Sequence, residues 1–359
     1  MKTFNIAVVN GDGIGPEVCA ATIEVINAAL GDARSCSFEH APAGAQNYLD
    51  TGISLPDSTI EQCRAADAIL LGAAGLPNVL YADGTEAGQD TTLQLRFALD
   101  LYANIRPIKL YDGVSTPLQG RPLIDYVIMR ENSEGLYASR GGGIALRGEV
   151  ASDTMVITRR GVARIVRRAA ELSMGRKGAP ADGKHRVTIC DKANVLRSFA
   201  FFRSVADETL REFPEVEVDY ALVDALSMYL ITRPSYYDVI VTENMFGDII
   251  SDLGAATVGG LGMADSAEIG DHHALFQASH GSAPDIAGKG IANPVATILS
   301  GASMLLWLGD RHGDLHLADR GAAIKQAVEA VLRQGETLTG DLGGSASTKE
   351  CVEAIVGKL

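Results

Sequence analysis

An α/β architecture, with parallel pairing in much of its sheet, is the fold class this sequence predicts. Three observations predict it. Short β-rich runs alternate with helical stretches along the chain. The first apolar run passes through a glycine-rich turn straight into a helix opened by Pro16. Polar clusters recur where apolar runs stop, and in open α/β sheets ligands bind at the carboxyl ends of strands.

Taken in order, "FNIAVVN" reads as a strand and "GPEVCAATIEVINAAL" as a helix, with Pro16 suited to its first turn. Between them "NGDGIGPE" places glycines at 11, 13 and 15. A Rossmann fingerprint needs GxGxxG, because its third glycine sits where helix meets strand. Pro16 holds that place, so the reading is non-Rossmann, and a tight turn able to approach a ligand remains. "ADAILLGA" reads as a strand, and "TLQLRFALDLYANI" as a helix ended by Arg106-Pro107. "IDYVIMRE" is a strand and "TRRGVARIVRRAAELS" an amphipathic helix with a basic face. "HRVTICD", "VEVDYALVD" and "YYDVIVTEN" are three further strands, each followed by a helical stretch. Residues 135–153, "GLYASRGGGIALRGEVASD", break the alternation and read as a flexible surface loop or an arm that reaches a partner.

A chain of 359 residues exceeds a comfortable single core, so two domains are expected. Its net charge of −14 disfavours nucleic acid and anionic membrane surfaces, although a few local arginines can still bind a small anion. Cys19, Cys36, Cys63, Cys190 and Cys351 are odd in number and lack CxxC spacing, which fits a reduced compartment and no disulfide framework. Cys190, at the end of "RVTIC", reads as a small buried hydrophobe. The start "MKTFNIAVVNGDG" has no signal-peptide core, and no apolar run approaches a membrane span; a cytoplasmic chain is expected.

The polar clusters carry the chemistry. Arg130-Glu131-Asn132 follow "YVIM", Asp191-Lys192 follow "VTIC", Asp224 follows "YALV", and Asn244 and Asp248 follow "VIVT". Asp248 and Asp252 are four residues apart, which on a helix puts both carboxylates on one face, about 5–6 Å apart at Cβ. They are candidate hard-oxygen ligands for a divalent cation, or else solvated aspartates near a helix start. Arg96, Arg106 and Arg130 are candidates for bidentate carboxylate binding or for ion pairs. Lys192 is a candidate base if its pKa is lowered, and Tyr137 a candidate proton donor. "SHGSAPDIAGKGIANP", residues 279–294, is dense in Gly, Ala and Pro, with His280, Ser282, Asp285, Lys289 and Asn293 isolated among them. So little side chain lets backbone approach a ligand closely.

Together these segments resemble the β-decarboxylating dehydrogenases, whose members act on isopropylmalate, isocitrate, homoisocitrate and tartrate or D-malate. The resemblance runs in order through "GDGIGPE", "LRFALDLYANIRP", "MRENSEGLY", "DKANVL", "VDALSMYL", "MFGDIISDLG", "HGSAPDIAGKGIANP" and "DLGGSAST". It implies an isopropylmalate/isocitrate dehydrogenase-like fold, two α/β domains sharing a large mixed sheet. Residues 1–101 plus 259–359 would form the large nucleotide-binding domain. Residues 102–258 would form a small domain with dimerisation helices and an arm at about 135–153. It further implies that Arg96, Arg106 and Arg130 hold substrate carboxylates. Asp224, Asp248 and Asp252 would hold Mg²⁺ or Mn²⁺, with Asp224 supplied by the second subunit of a homodimer. Lys192, also from the second subunit, would take the proton of the 2-hydroxyl, and Tyr137 would protonate the carbon that loses CO₂. His280, Gly281, Ser282, Ala283, Asp285 and Asn293 would bind the dinucleotide. Asp285 faces the adenosine ribose by this resemblance; NADP-using relatives carry Lys-Tyr where this chain has Asp285-Ile286, so NAD is expected.

The resemblance also bears on the substrate. Isopropylmalate enzymes meet the substrate's third group with a Glu and two leucines, matched here by Gln89, Thr92 and Leu93, and Val195 is retained as the neighbour from the second subunit. The Ser and Asn of isocitrate enzymes are replaced by Asp90 and Thr92, and Asp90 disfavours a third carboxylate. "EGLYASRGGG" looks closer to the tartrate/D-malate group, and Gln277 stands where relatives commonly have Glu. The expected substrate is 3-isopropylmalate, oxidised to 2-oxoisocaproate in leucine biosynthesis, followed by tartrate or D-malate and then isocitrate. The family also contains non-catalytic regulatory subunits, which typically lose the metal ligands or the lysine; this chain retains both.

Overall fold

A computed structural model describes residues 2–31, 35–139 and 142–359. Its elements in chain order open with β1 (Phe4–Val9), α1 (Gly15–Leu30), β2 (Cys36–Ala41), α2 (Ala45–Thr51), α3 (Asp57–Ala65), β3 (Ala68–Leu71) and α4 (Gln89–Ala98). There follow β4 (Ala103–Lys109), β5 (Asp125–Glu131), β6 (Ile144–Leu146), β7 (Val150–Ser152), α5 (Arg159–Gly175), β8 (Arg186–Asp191), α6 (Arg197–Leu210), β9 (Glu217–Leu222), α7 (Val223–Thr232), β10 (Val239–Thr242) and α8 (Asn244–Ala256). The chain closes with β11 (Asp265–Ile269), β12 (Ala274–Ala278), α9 (Val295–His312), α10 (Leu315–Gln334) and α11 (Thr348–Val356). Two compact units result: Met1–Leu101, Tyr111–Ser115 and Gly259–Leu359 form the first, Tyr102–Leu110 and Thr116–Val258 the second.

In the first unit the strands run in the order β2-β1-β3-β12-β11. β1 pairs in parallel with β2 and β3, β12 runs parallel to β3, and β11 closes antiparallel to β12. All of β3, and β1 from Ile6 onward, lies in the core, so these strands are continuous apolar runs, as parallel strands covered on both faces must be. The turn after β1 is built by its acidic residue as much as by its glycines. Asp12 accepts hydrogen bonds from the backbone N–H groups of Ala45 (2.7 Å), Gln46 (2.9 Å) and Gly75 (2.7 Å), tying the start of α2 and the loop after β3 to one carboxylate.

In the second unit the order is β4-β5-β10-β8-β9, with β4 antiparallel to β5 and the remaining pairs parallel. The pleat of β10 divides its side chains. Val239 and Val241 pack with Val162, Ile165 and Val166 of α5 and Phe202 of α6, while Ile240 packs with Leu226 and Leu230 of α7 and Ile250 of α8. Burial on both faces explains why "VIVT" is apolar without alternation, and it fixes where the strand ends and its polar followers begin.

Two sequence expectations change. The helix expected over 92–105 stops at Ala98. Asp100 adopts a left-handed conformation (φ 49°), and the Leu101 N–H bonds back to the Arg96 carbonyl at 2.9 Å, a six-to-one closure of the helix end. Arg106 and Pro107, expected as the breaker, lie inside β4, opposite Ile128 and Val127 of β5. The partner strand is remote in sequence, and its pairing overrides a local pattern compatible with helix. The glycine-rich region is more ordered than a loop: its described residues include the antiparallel pair β6–β7, with Ile144, Leu146 and Val150 exposed. All five cysteines are free and buried, Cys190 included. No helix among the described residues is long and apolar enough to cross a membrane.

Gly13 tests the turn. It has φ 58°, a Cβ there would overlap the Ser282 carbonyl, and that carbonyl accepts the Ile14 N–H at 2.8 Å. Gly13→Ala is expected to destabilise the protein by about 1–3 kcal/mol in urea unfolding, because strain and collision add; an unchanged midpoint would contradict this account of the turn.

Candidate active site

β4, β5, β10 and α8 assemble a charged cluster in the second unit. Glu243, after β10, caps α8 by accepting the N–H groups of Met245 (3.1 Å) and Phe246 (2.7 Å). Arg130, near the end of β5, is 1% exposed. Its Nε donates to Asn244 Oδ1 at 2.9 Å and its Nη1 to Asp248. Gly247 makes this possible: a Cβ there would stand 2.7 Å from the Arg130 Cβ, so a residue with a side chain would push α8 off the arginine. Arg106, from β4, donates through Nε to Asn104 Oδ1 (3.0 Å) and through Nη1 to Ser251 Oγ (2.6 Å). It also stands 3.3 Å from Asp248 and 3.7 Å from Asp252. Two guanidiniums therefore offset the repulsion between aspartates one helical turn apart.

Tyr137 completes the cluster. Its hydroxyl donates to Asp248 Oδ2 at 3.1 Å and its ring lies 5.5 Å from the Arg130 guanidinium carbon. Burial, reinforced by the Asp248 charge, raises its pKa, so the phenol keeps its proton. Burial also raises the Asp252 carboxyl, with Arg106 opposing and Asp248 adding to the shift. Lys192, just past β8, donates to Asp224 Oδ1 of α7 at 2.6 Å, and that hydrogen bond lowers the aspartate pKa. Asp191 beside it is a scaffold residue, buried and gripped by Arg203 at 2.7 and 2.8 Å.

Asp248 and Asp252 keep side-chain exposures of 37% and 58%, so both present oxygen donors to solvent as a divalent ion would require. Two carboxylates make an incomplete set. Among the described residues of one chain, no group of three or more His, Cys, Asp or Glu is placed to hold a metal.

The first unit contains a cleft of about 460 Å³ lined by Ile14, His280, Ile286, Asn293 and Asp341 among others, within the size range of small-molecule sites. His280 Nε2 is buried there without a hydrogen-bond partner, and burial lowers the imidazole pKa, so the ring is neutral at pH 7. An orphaned ring nitrogen in an apolar cleft fits a ligand that hydrogen-bonds to it. Asn293 is held by Asp341 (2.9 Å) and caps α9 through Val295 N–H (3.0 Å). Of the other loop residues, Ser282 is turned into packing, its hydroxyl on the Gly75 carbonyl at 2.5 Å. Ala283 has a left-handed backbone (φ 38°), and Gly281 and Asp285 are exposed.

Also in the first unit, Arg96 of α4 is buried and forms a bidentate pair with Glu268 of β11, Nε–Oε2 2.8 Å and Nη2–Oε1 2.6 Å. Thr92 and Leu93, on the same helix, are half-buried. Asp90 is not a surface charge: it is buried and accepts hydrogen bonds from Tyr81 (2.9 Å), Ser54 (3.3 Å), Gln94 (2.5 Å) and Gly88 N–H (3.1 Å). Four donors already occupy its oxygens, so it does not stand as an unpartnered charge against a third carboxylate.

The profile of the family described as isocitrate/isopropylmalate dehydrogenase matches residues 5–355. The chain belongs to this family. The 3-isopropylmalate/3-methylmalate dehydrogenase of Methanocaldococcus jannaschii is 45% identical over 355 residues, covering 99% of this chain and 98% of the relative. The 3-isopropylmalate dehydrogenase of Streptomyces coelicolor is 42% identical over 365 residues, covering 100% and 99%. The crystal structure of isocitrate dehydrogenase from Methylococcus capsulatus superposes with a TM-score of 0.87 at 36% identity, covering 99% of each chain.

Within the isocitrate/isopropylmalate dehydrogenase family framework, sequence spacing led to Arg106, Arg130, Tyr137, Asp248 and Asp252, and the fold brings these into one cluster. It brings Lys192 to Asp224, and His280 to Asn293. Sequence reasoning missed Ser251, Asp341 and Glu268, which position functional candidates. Glu268 had a signal: a carboxylate inside the short run "SAEI", between apolar neighbours.

Glu131, next to Arg130, is buried and accepts from Ser133 Oγ (2.6 Å), Ser133 N–H (3.0 Å) and Glu134 N–H (2.6 Å). Burial pushes its carboxyl up to about 7 from 4.5. The folded state thus holds this proton more tightly than the unfolded chain. Its contribution to stability is full below pH 4.5 and fades as pH rises through 7. Glu131→Gln, which cannot ionise, should gain stability relative to wild type between pH 5 and 8, by on the order of 3 kcal/mol at most. Parallel urea titrations measure this; a pH-independent difference would refute it.

Proposed function

We propose that this chain is an NAD- and divalent-metal-dependent dehydrogenase that converts 3-isopropylmalate to 2-oxoisocaproate with loss of CO₂, the leucine-biosynthetic reaction. The observation that carries the reaction class is one cluster holding two buried guanidiniums, a carboxylate pair one helical turn apart and a phenol that keeps its proton. The substrate assignment is supported by relatives at 42–45% identity that bear the isopropylmalate dehydrogenase name.

In this reading Arg96, Arg106 and Arg130 orient the substrate carboxylates, since a guanidinium fork matches a carboxylate in two bonds. Thr92 and Leu93, with Val195 of a second copy, meet the 3-substituent. Lys192 of the second copy takes the 2-hydroxyl proton, its Nζ positioned by the hydrogen bond it donates to Asp224. Tyr137 gives its proton to the carbon from which CO₂ has departed; its raised pKa suits an acid that must stay protonated until then. Asp248 and Asp252, joined by Asp224 of the second copy, would hold Mg²⁺ or Mn²⁺, which supplies Lewis acidity to the substrate when bound. NAD, when bound, would supply the hydride acceptor. His280 and Asn293, with backbone at Gly281, Ser282 and Ala283, would hold it, and Asp285 would favour a ribose over its 2′-phosphate. The exposed Val195, Met228 and Ile249 of the second unit and the exposed apolar side chains of β6 and β7 support a homodimer that shares its sites. The five free thiols suit the cytoplasm.

Three experiments test this. With Mg²⁺ or Mn²⁺ present, NADH formation should be fastest with 3-isopropylmalate among isopropylmalate, D-malate, tartrate and isocitrate; chelation by EDTA should abolish it and added metal restore it. A strong preference for isocitrate overturns the substrate reading. Tyr137→Phe should lower kcat by about 10²–10⁴-fold with little change in thermal stability, the range for losing a general acid; near-wild-type turnover removes Tyr137 from that role. Asp285→Lys should shift preference toward NADP in paired kinetic assays, and no gain with NADP counts against the assigned ribose contact.

A further inference from the structure

The loop after β5 carries Tyr137, and its backbone is tied down before the tyrosine is reached. Glu131 accepts the N–H groups of Ser133 and Glu134 at its start. Gly135 and Val156 exchange backbone hydrogen bonds, Gly135 N–H to the Val156 carbonyl at 2.8 Å and Val156 N–H to the Gly135 carbonyl at 3.2 Å. A further tie comes from α8: Asn244 Nδ2 donates to the Glu134 carbonyl at 2.9 Å, three residues before Tyr137. The Oδ1 of the same amide accepts from Arg130 Nε at 2.9 Å. Its orientation is forced, because a guanidinium only donates and a carbonyl only accepts. Asn244 is wholly buried in the first turn of the helix that Glu243 caps. Gly135 gives the loop room to come this close. It has φ 78°, and a Cβ there would stand 2.6 Å from Glu243 Oε2 and 3.1 Å from the Asn244 Cβ.

We infer that Asn244 is a positioning residue for the proton donor: its amide links the Arg130 guanidinium to the loop that carries Tyr137. This deepens the proposed function and rests on the role given there to Tyr137. A general acid works only when its oxygen stands within hydrogen-bond reach of the atom it protonates. The Tyr137 hydroxyl meets Asp248 at 3.1 Å, and Arg130 holds the same carboxylate, so phenol, guanidinium and aspartate share one frame. That frame requires the loop backbone to keep its place against α8. Asn244 keeps it there, one helical turn before Asp248. An aspartate at 244 would still accept from Arg130. It would turn an oxygen toward the Glu134 carbonyl, and the loop would lose its donor. The effect on Tyr137 can therefore be separated from the effect on Arg130.

The test uses the full-length enzyme with NAD and Mg²⁺. In Asn244→Asp, kcat with 3-isopropylmalate should fall about 10–100-fold while KM stays within about threefold, the scale expected when a reacting group is misplaced by roughly 1 Å. In a Tyr137→Phe background the same substitution should cost nothing further, because no proton donor remains to be positioned. Hydrogen–deuterium exchange without substrate should show residues 132–139 exchanging about tenfold faster in Asn244→Asp, with residues 246–256 unchanged. A kcat within about twofold of wild type overturns the inference. So does an equally large loss in the Tyr137→Phe background, or a rise in KM that accounts for the fall in kcat/KM, which would place the effect on Arg130. Should Asn244→Asp fail to fold, Gly135→Ala crowds the loop off the helix from the other side and must reproduce the fall in kcat at unchanged KM. If wild type oxidises none of the malates, the proposed function fails on its own. The exchange measurement then still decides whether Asn244 tethers the loop, and unchanged exchange refutes it.

Discussion

A guanidinium removed almost wholly from water must be met by acceptors on nearly every side, and Arg130 is such a group. Its placement constrains what surrounds it. β5 delivers it, Asn244 and Asp248 receive it from the first turns of α8, and Gly247 clears the space between. Glu243 caps that helix, so α8 begins at a fixed point after β10. Once α8 is set, Asp248 and Asp252 lie where Arg106 and Tyr137 can reach them. A change at the arginine would disturb the strand end, the helix start and the proton donor together.

The charges in the second unit are arranged to be offset without being used up. Asp248 is shared among Arg130, Arg106 and Tyr137, yet more than a third of its side chain stays exposed. That balance suits a carboxylate that must exist as an anion before any cation reaches it. Tyr137 shows the opposite use of the same field: burial and the Asp248 charge keep the phenol protonated, so that a proton is present when a developing carbanion calls for one. In the first unit, Glu268 and Arg96 illustrate neutralisation from within, where a buried pair must be well formed because an uncompensated charge costs several kcal/mol.

Much of this was legible from residues alone because the signals were local. The i,i+4 spacing of Asp248 and Asp252, the proline opening α1, and the apolar runs that became β1, β3, β5, β8, β9 and β10 need no partner to be read. The misread stretch shows the limit. "LYANIRP" is compatible with helix by local pattern, and it is a strand because β5 supplies its hydrogen bonds and Asp100 reverses the chain before it. The orientation of Asp90 was invisible for a similar reason: Tyr81 and Ser54, which bury its charge, approach from loops elsewhere in the chain.

By itself, then, the sequence determined which side chains could perform chemistry, since residue type, strand ends and helical spacing are properties of short segments. Only the tertiary structure decided which of those side chains meet. Arg96 and Glu268 are 172 residues apart, and Arg106 and Ser251 are 145 apart. Such contacts are fixed by strand order and helix packing, whose energies come from burial summed over whole elements rather than from any stretch that can be read alone.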